Sequence, residues 1–159
     1  MTITVYRLGK LRHRHEHFSG LGGLYAGGRW TFRGQPVVHT SGTISLAVLE
    51  YTLNYRRRGW VPASVLARAM IPSTVRIETL KPTDLPRNWP ALNPPLILRE
   101  IGQDWLDRAG SAILRVPSAV VVEEWNYLLN PRHPDFHRLV FGKPQPYAFY
   151  RRLVRSRRR

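Results

Sequence analysis

The feature that most constrains this chain is the stretch 22–50, in which a glycine-rich segment leads through a short apolar run into a helix. Arg29 follows two glycines, and backbone without side chains lets a phosphate approach a guanidinium closely. Residues 36–40 predict a strand, and residues 43–57 predict a helix that holds Glu50 as a lone carboxylate among apolar side chains. An unpaired carboxylate is costly to bury, so Glu50 is either a core residue paired with a structural arginine or a functional group. We expect Arg29 and Glu50 to face one pocket that binds a charged, sugar-containing ligand.

The pattern of predicted elements favours a single α+β domain. The chain has 159 residues, enough to bury one core, and its 43% hydrophobic content is typical of a folded protein. Further strands are predicted at residues 3–8, within 59–71 and 73–80, at 111–122 with a break at Pro117 and Ser118, and at 137–141 and 146–150. A second helix is predicted over 96–109 with Gly110 closing it, and residues 123–134 predict a turn-rich loop.

The net charge of +15 indicates anionic partners, such as nucleic acid, a phosphate-bearing small molecule or an acidic protein. Six of the 25 basic residues lie in residues 151–159, so we divide the chain into a domain over 1–150 and a basic tail over 151–159. The tail fits a solvated or disordered basic end better than an arm that touches nucleic acid or an acidic partner. The chain has no cysteine, no apolar run near the roughly 18 residues that span a membrane, and no signal-peptide pattern. These features predict a cytoplasmic protein that makes no membrane contact.

Two further motifs carry weaker signals. His13, His15 and His17 alternate, as imidazoles on one strand face would for a transition metal, but no second cluster supplies a fourth ligand. A solvated polar loop is therefore the favoured interpretation, and no metal is assigned. Ser118 lacks the GxSxG elbow of hydrolases and has no identifiable base beside it, so it is not interpreted as a nucleophile.

Several short motifs follow one another in a specific order along the chain. They are Arg7 at the end of the first strand, Gly27-Gly28-Arg29-Trp30, Pro36-Val37-Val38, Ala47 to Glu50, Leu85-Pro86 with Trp89, Val116-Pro117-Ser118-Ala119-Val120, and Asn126-Tyr127-Leu128-Leu129-Asn130-Pro131 with His133-Pro134. In this order they resemble the RES-domain family, the toxins of RES–Xre toxin–antitoxin pairs, which is named after an Arg, a Glu and a Ser. The resemblance spans residues 6–150.

The resemblance implies an ADP-ribosyltransferase-like fold, with a mixed β-sheet core and flanking helices, and NAD⁺ as the substrate. It implies cleavage of the nicotinamide–ribose bond by hydrolysis or phosphorolysis, or transfer of ADP-ribose to a protein, with no cofactor and with inorganic phosphate as a candidate co-substrate. The implied catalytic residues are Glu50, Arg29 and Arg7, and the implied substrate-binding residues are Ser118, His39, Trp30 and Asn126. It also implies a hetero-oligomer with an Xre-type helix-turn-helix antitoxin, which would carry any contact with DNA.

The residue chemistry fits these implied roles. Guanidinium groups bind a pyrophosphate bidentately, and a fixed carboxylate near the ribose stabilises the positive charge that develops as the glycosidic bond breaks. The chain departs from the family where His39 replaces a frequent Tyr and Thr31 a frequent Asn, and a protonated His39 would disfavour the cationic nicotinamide ring. Two alternatives of another class remain: a basic nucleic-acid-binding module that uses its arginines and tryptophans, and a partner-binding protein with a degenerate pocket.

Overall fold

The computed structural model describes residues 1–56 and 59–154. Within this part of the chain, eight strands form one mixed sheet, accompanied by three α-helices. The strands are β1 (Ile3–Lys10), β2 (Val38–Ser41), β3 (Ser64–Ile71), β4 (Ile77–Thr79), β5 (Ile113–Pro117), β6 (Trp125–Leu129), β7 (Val140–Phe141) and β8 (Gln145–Tyr147). The helices are α1 (Gly22–Tyr25), α2 (Ile44–Leu53) and α3 (Ile97–Arg108), and the strand order is β4-β5-β6-β2-β1-β3-β7, with β8 also paired to β3.

The sheet splits between β1 and β2. β1 pairs with β3 along its whole length, whereas it pairs with β2 only at Tyr6 and Ser41. β2 pairs along its whole length with β6 on its other side. Arg7 is the next residue of β1 after the Tyr6 pair, so its side chain starts where the two strands separate.

Both faces of the sheet are covered, because β5 and β6 send alternate side chains to two different cores. One core is built from Val5, Val38, Ile113, Tyr127 and Leu129 with Phe136 and Leu139. The other lies under α3 and contains Trp30, Trp89, Leu98, Trp105, Leu114, Val116 and Leu128. A smaller cluster joins α2 to β1 and β3 through Leu8, Ala47, Val48 and Leu66. Burial on both faces explains why the segment that contains β5 reads as a nearly continuous apolar run.

The prediction of a turn-rich loop over 123–134 is wrong in its centre. Residues 125–129 form β6, which lies between β5 and β2 in the middle of the sheet. Acidic residues before it and Asn130-Pro131 after it resemble turn signals, and the five residues between them are too few to display a period. The closing segments are also shorter than predicted: residues 134–138 form a 3-10 helix, and only 140–141 and 145–147 are strands.

The two main helices differ from their predictions at their ends. α2 has the predicted cap, because the Thr43 hydroxyl accepts a hydrogen bond from the Leu46 amide at 3.1 Å, but it stops at Leu53; residue 57, its predicted end, lies outside the described residues. α2 is buried along one side only, since Leu49 and Leu53 are 40% and 47% exposed. Ala109, rather than Gly110, takes the left-handed conformation after α3, with φ of 46°.

Of the helices in the described part of the chain, none combines the length and the apolar character that crossing a bilayer requires. Most of the basic tail, residues 155–159, lies outside the described residues.

Candidate active site

The carboxylate of Glu50 is held by two side chains from a distant part of the chain. α2 directs Glu50 toward the end of β5 and the start of β6. There its Oε1 accepts hydrogen bonds from Ser118 Oγ at 3.0 Å and from Asn126 Nδ2 at 2.7 Å. Both bonds reach the same oxygen, and Oε2 makes no hydrogen bond to any described residue. The carboxylate is therefore fixed in orientation while one oxygen stays available to a ligand.

Ser118 is fully buried, and its hydroxyl is saturated by the protein. Its oxygen accepts hydrogen bonds from the backbone amides of Val120 and Val121, at 3.0 and 3.2 Å. A hydroxyl has one hydrogen to donate, and Ser118 uses it in the hydrogen bond to Glu50. The serine thus ties the turn after β5 to the carboxylate, and it acts through Glu50 rather than by exposing a free hydroxyl.

Arg7 presents one unpaired edge of its guanidinium. Nη1 donates to the carbonyl of His39 at 2.9 Å and so bridges the split between β1 and β2. Nε is buried and has no hydrogen-bond partner among the described residues, and Nη2 has none there either. Burial lowers the pKa of Arg7, and the nearby Tyr51 opposes this to a smaller extent. An unpaired Nε–Nη2 edge in a buried position is a site for a bidentate oxoanion.

Arg29 is anchored by backbone carbonyls. Its Nη1 donates to the carbonyls of Trp89 and Ala91, the latter at 3.0 Å, which ties the glycine-rich loop to the segment before α3. Burial lowers the pKa of Arg29, and the charge of Glu50 acts in the opposite direction, so the two predicted residues lie within electrostatic range. That Arg29 and Glu50 face one ligand pocket stays a prediction.

His39 is neutral at physiological pH. Burial, reinforced by the charge of Arg7, lowers the pKa of His39 to about 4. Its Nε2 lies 3.5 Å from the hydroxyl of Thr31, and a Cβ placed on Gly28 would be 3.3 Å from its Cε1. The two positions at which the chain departs from the family pattern are thus neighbours, and an uncharged imidazole does not repel a cationic nicotinamide ring.

Trp30 is a core residue. It is 4% exposed and packs against Trp89 with ring centroids 6.4 Å apart, in the cluster under α3. Its predicted role in substrate binding is not supported, because the ring has no open face to offer. Asn126, in contrast, lies in the site, and its Oδ1 is buried without a partner among the described residues.

Two residues of α3 position the site and carry no sequence signal of their own. Arg99 Nε donates to the carbonyl of Gly28 at 2.9 Å, and Gly102 lies so close to the Trp30 carbonyl that a Cβ there would be 1.8 Å from its oxygen. Together they hold the loop that carries Arg29. In the sequence, Arg99 has the pattern of an ordinary polar residue of an amphipathic helix, and Gly102 is a residue of low helix propensity.

The alternating histidines do not form a common face. His13 pairs with Glu16 at 3.6 Å on an exposed turn, while the ring of His17 is buried against Gly9. Over residues 1–56 and 59–154, no three His, Asp or Glu side chains are grouped so that they would hold a metal ion.

With this geometry in view, the class of protein is clear: a single α+β domain with a mixed sheet, in which Ser118 and Asn126 hold the Glu50 carboxylate and Arg7 lies where β1 and β2 separate. The chain belongs to the RES-domain family, whose profile matches residues 4–150. The resemblance to the RES-domain toxins that the sequence motifs indicated is thereby confirmed.

Curated relatives match over nearly their whole length. "Toxin Res" of Yersinia enterocolitica is 33% identical over 95% of this chain and 99% of the relative. "Toxin Res" of Photorhabdus laumondii is 34% identical over 98% and 100%. A Sphingobium protein named "Prs ADP-ribosylating toxin" is 30% identical over 98% and 99%.

A solved structure supports the fold. The structure described as the M. tuberculosis MbcT–MbcA toxin–antitoxin complex contains a chain with a TM-score of 0.77 and 15% identity, covering 92% of this chain and 85% of that one. The predicted fold, an ADP-ribosyltransferase-like mixed sheet with flanking helices in one domain, is confirmed.

Proposed function

We propose that this chain is the toxin of a toxin–antitoxin pair and that it cleaves the nicotinamide–ribose bond of NAD⁺. The observation that carries the proposal is the Glu50 carboxylate, fixed through Oε1 by Ser118 and Asn126 and open at Oε2. A carboxylate that is oriented before the substrate arrives can stabilise charge without reorganising during the reaction.

The chemistry suits a site of this kind. When the C1′–N bond of NAD⁺ breaks, nicotinamide leaves with the bonding electron pair and becomes neutral, and positive charge develops on the ribose. Oε2 of Glu50 would bind a ribose hydroxyl and face that charge, so its contribution is larger in the transition state than in the ground state. An acceptor oxygen then bonds to C1′ and releases its proton, which balances the reaction.

Arg7 would hold a phosphate of the substrate, or an attacking inorganic phosphate. Its Nε–Nη2 edge has no hydrogen-bond partner among the described residues, and a buried guanidinium without an anion is costly. Arg29 has one nitrogen committed to backbone carbonyls, so it would add charge and fix the loop around the ligand. His39, neutral and adjacent to Arg7, would contact the nicotinamide or the ribose.

The acceptor of ADP-ribose is water, phosphate or a protein side chain. Transfer to a protein is the second candidate, favoured by the name of the Sphingobium relative, an ADP-ribosylating toxin. The proposed partner is an Xre-type antitoxin in the cytoplasm. The high positive charge favours an acidic partner surface, and the chain with a similar fold comes from a toxin–antitoxin complex.

The test is an assay of the purified chain with NAD⁺, with and without inorganic phosphate, with products separated by chromatography and identified by mass. Free ADP-ribose indicates hydrolysis, and a phosphorylated ADP-ribose formed only with phosphate indicates phosphorolysis. Glu50→Gln, which keeps the shape and removes the charge, is expected to lower kcat by about a hundredfold or more. The control is Glu123→Gln, an exposed carboxylate on the loop before β6.

Undiminished NAD⁺ consumption by Glu50→Gln would contradict the assignment. If the purified chain alone left NAD⁺ intact, NAD⁺ labelled in its ADP-ribose part would be added together with cell lysate. Transfer of the label to a protein, with release of nicotinamide, would then indicate ADP-ribosyl transfer. If NAD⁺ stayed intact and DNA were bound equally by wild type and Glu50→Gln, the nucleic-acid-binding alternative would replace the enzyme.

A further inference from the structure

A cleft lies away from Glu50, at the end of β1. It has a volume of about 500 Å³ and is lined by Lys10, Leu11, Arg12, Arg14, Tyr55, Trp60, Pro62 and Ala63. The Leu11 amide donates to the Ala63 carbonyl at 2.8 Å, so the cleft lies where the β1–β3 ladder ends. Its walls are apolar and its rim is basic, and it contains none of the residues that surround Glu50.

The rim is cationic, and no described residue forms an ion pair with its basic side chains. None of the lining residues is acidic, and among the described residues Lys10 and Arg14 make no hydrogen bond or ion pair from their side chains. Arg12 donates to the ring of His13, and the one nearby carboxylate, Glu16, pairs with His13 instead. Three like charges around an apolar cleft repel one another, so an anionic occupant would relieve this repulsion.

We propose that this cleft, the "Trp60 cleft", binds an acidic protein segment that inserts one large apolar side chain. The volume suits one aromatic or branched side chain with its flanking backbone, and the basic rim suits carboxylates on the neighbouring residues. Of the two aromatic residues that line the cleft, Tyr55 is buried and Trp60 is half-buried, so the cleft has no row of exposed rings on which successive nucleic-acid bases would stack. The lining has no carboxylate and no activated nucleophile, which makes it a docking site rather than a second active site.

The cleft would give a partner protein an anchor that is separate from the catalytic site. Tyr55 packs against Tyr51 with ring centroids 5.0 Å apart, and Tyr51 lies on α2 next to Glu50 in sequence. A segment docked at Tyr55 would therefore sit at the end of the helix that carries the catalytic carboxylate. The proposal does not depend on which reaction that carboxylate supports.

The experiment uses three fluorescein-labelled peptides: an acidic peptide with a central Trp, the same peptide with Ala at the centre, and a lysine-rich peptide with the central Trp. Binding to the full chain is measured by fluorescence anisotropy. The acidic Trp peptide is expected to bind about tenfold tighter than either of the others. It alone has both carboxylates for the basic rim and an apolar side chain for the walls of the cleft. Arg12→Glu with Arg14→Glu, and separately Trp60→Ala, are expected to weaken it about tenfold.

The matched control is Arg76→Glu with Arg132→Glu, which changes the net charge equally at exposed positions outside the cleft. Equal weakening by the control pair would mean general charge attraction and would overturn the proposal, as would equal binding of the Ala peptide. Tighter binding of a short single-stranded oligonucleotide, lost in the same variants, would also overturn it. NAD⁺ consumption is measured in every variant and is expected to stay at the wild-type level. The docking proposal can therefore be refuted without refuting the proposed reaction.

Discussion

Ser118 exemplifies a residue whose role is set by where its hydrogen bonds go. Its oxygen accepts hydrogen bonds from two backbone amides, and its hydroxyl donates a hydrogen bond to Glu50. A ribose hydroxyl would have to displace one of these bonds, which leaves a buried amide or a buried carboxylate oxygen with one bond fewer. We therefore interpret Ser118 as a positioning residue for Glu50, in place of the direct substrate contact implied by the family resemblance.

Replacing Ser118 with Ala is expected to lower kcat for NAD⁺ by about ten- to a hundredfold and to leave KM nearly unchanged. The carboxylate keeps its charge but loses one of the two bonds that orient it. Steady-state kinetics measure the two constants, and Ser73→Ala, at an exposed turn, is the control. A rise in KM with kcat preserved would instead place Ser118 in contact with the substrate.

Much of the residue-level site could be predicted, and the part that could not has a physical reason. Glu50 stands out because a lone carboxylate in an apolar helix is a local anomaly. Its hydrogen-bond partners lie 68 and 76 residues further along the chain, and no local pattern connects them. The neutrality of His39 was equally inaccessible, because it arises from burial and from the charge of Arg7 across the split in the sheet.

At the scale of elements, α3 positions the glycine-rich loop through its smallest residue. Gly102 allows the carbonyl of Trp30 to lie directly against the helix backbone. Helix propensity treats this glycine as a weakness, yet the close packing of loop and helix requires it. The apolar spacing predicts α3 but not this contact, because the contact depends on a loop more than 70 residues away in the sequence. The second contact between α3 and the loop, from Arg99 to Gly28, also spans 71 residues.

Gly102→Ala is expected to destabilise the fold by about 3 kcal/mol or more, because the backbone of Trp30 leaves no room for a methyl group. The loop would have to move, so the activity of any folded fraction should fall as Arg29 shifts. Urea unfolding followed by circular dichroism measures the loss. The control is Gly142→Ala, where an added Cβ would meet its nearest atom at an ordinary 3.6 Å. Equal stability of the two variants would mean that α3 and the loop are not in contact.

β6 marks the limit of element prediction in this chain. Its five residues are flanked by polar and turn-forming residues, so the segment resembles a loop. It becomes a strand because β5 and β2 pair with it on either side and bury three of its side chains completely or nearly so: Tyr127, Leu128 and Leu129. Tertiary pairing here overrides local signals. The same pairing delivers Asn126 to Glu50, so the strand that the sequence concealed is also the one that completes the site.

At the scale of the whole molecule, two buried imidazoles make the fold sensitive to acid. Burial, with a further effect of Arg7, lowers the pKa values of His17 and His39 to about 4. In the unfolded chain both rings would titrate near the ordinary histidine value of about 6.5. Between these values the unfolded state binds protons that the folded state does not, so acid favours unfolding. The fold is therefore fully stable with respect to these groups above about pH 6.5 and loses stability as the pH falls toward 4.

His39→Gln and His17→Gln test this coupling, each removing one titrating ring. The free energy of unfolding, measured by urea titration across the same pH window, should change by about 1.4 kcal/mol per pH unit for each proton taken up. Each variant is therefore expected to show a slope that is smaller than the wild-type slope by about one proton, whatever its stability at neutral pH. His15→Gln, on an exposed turn, should keep the wild-type slope. If His39→Gln also kept it, the His39 ring would be protonated in the folded protein, and the uncharged contact proposed for nicotinamide would be wrong.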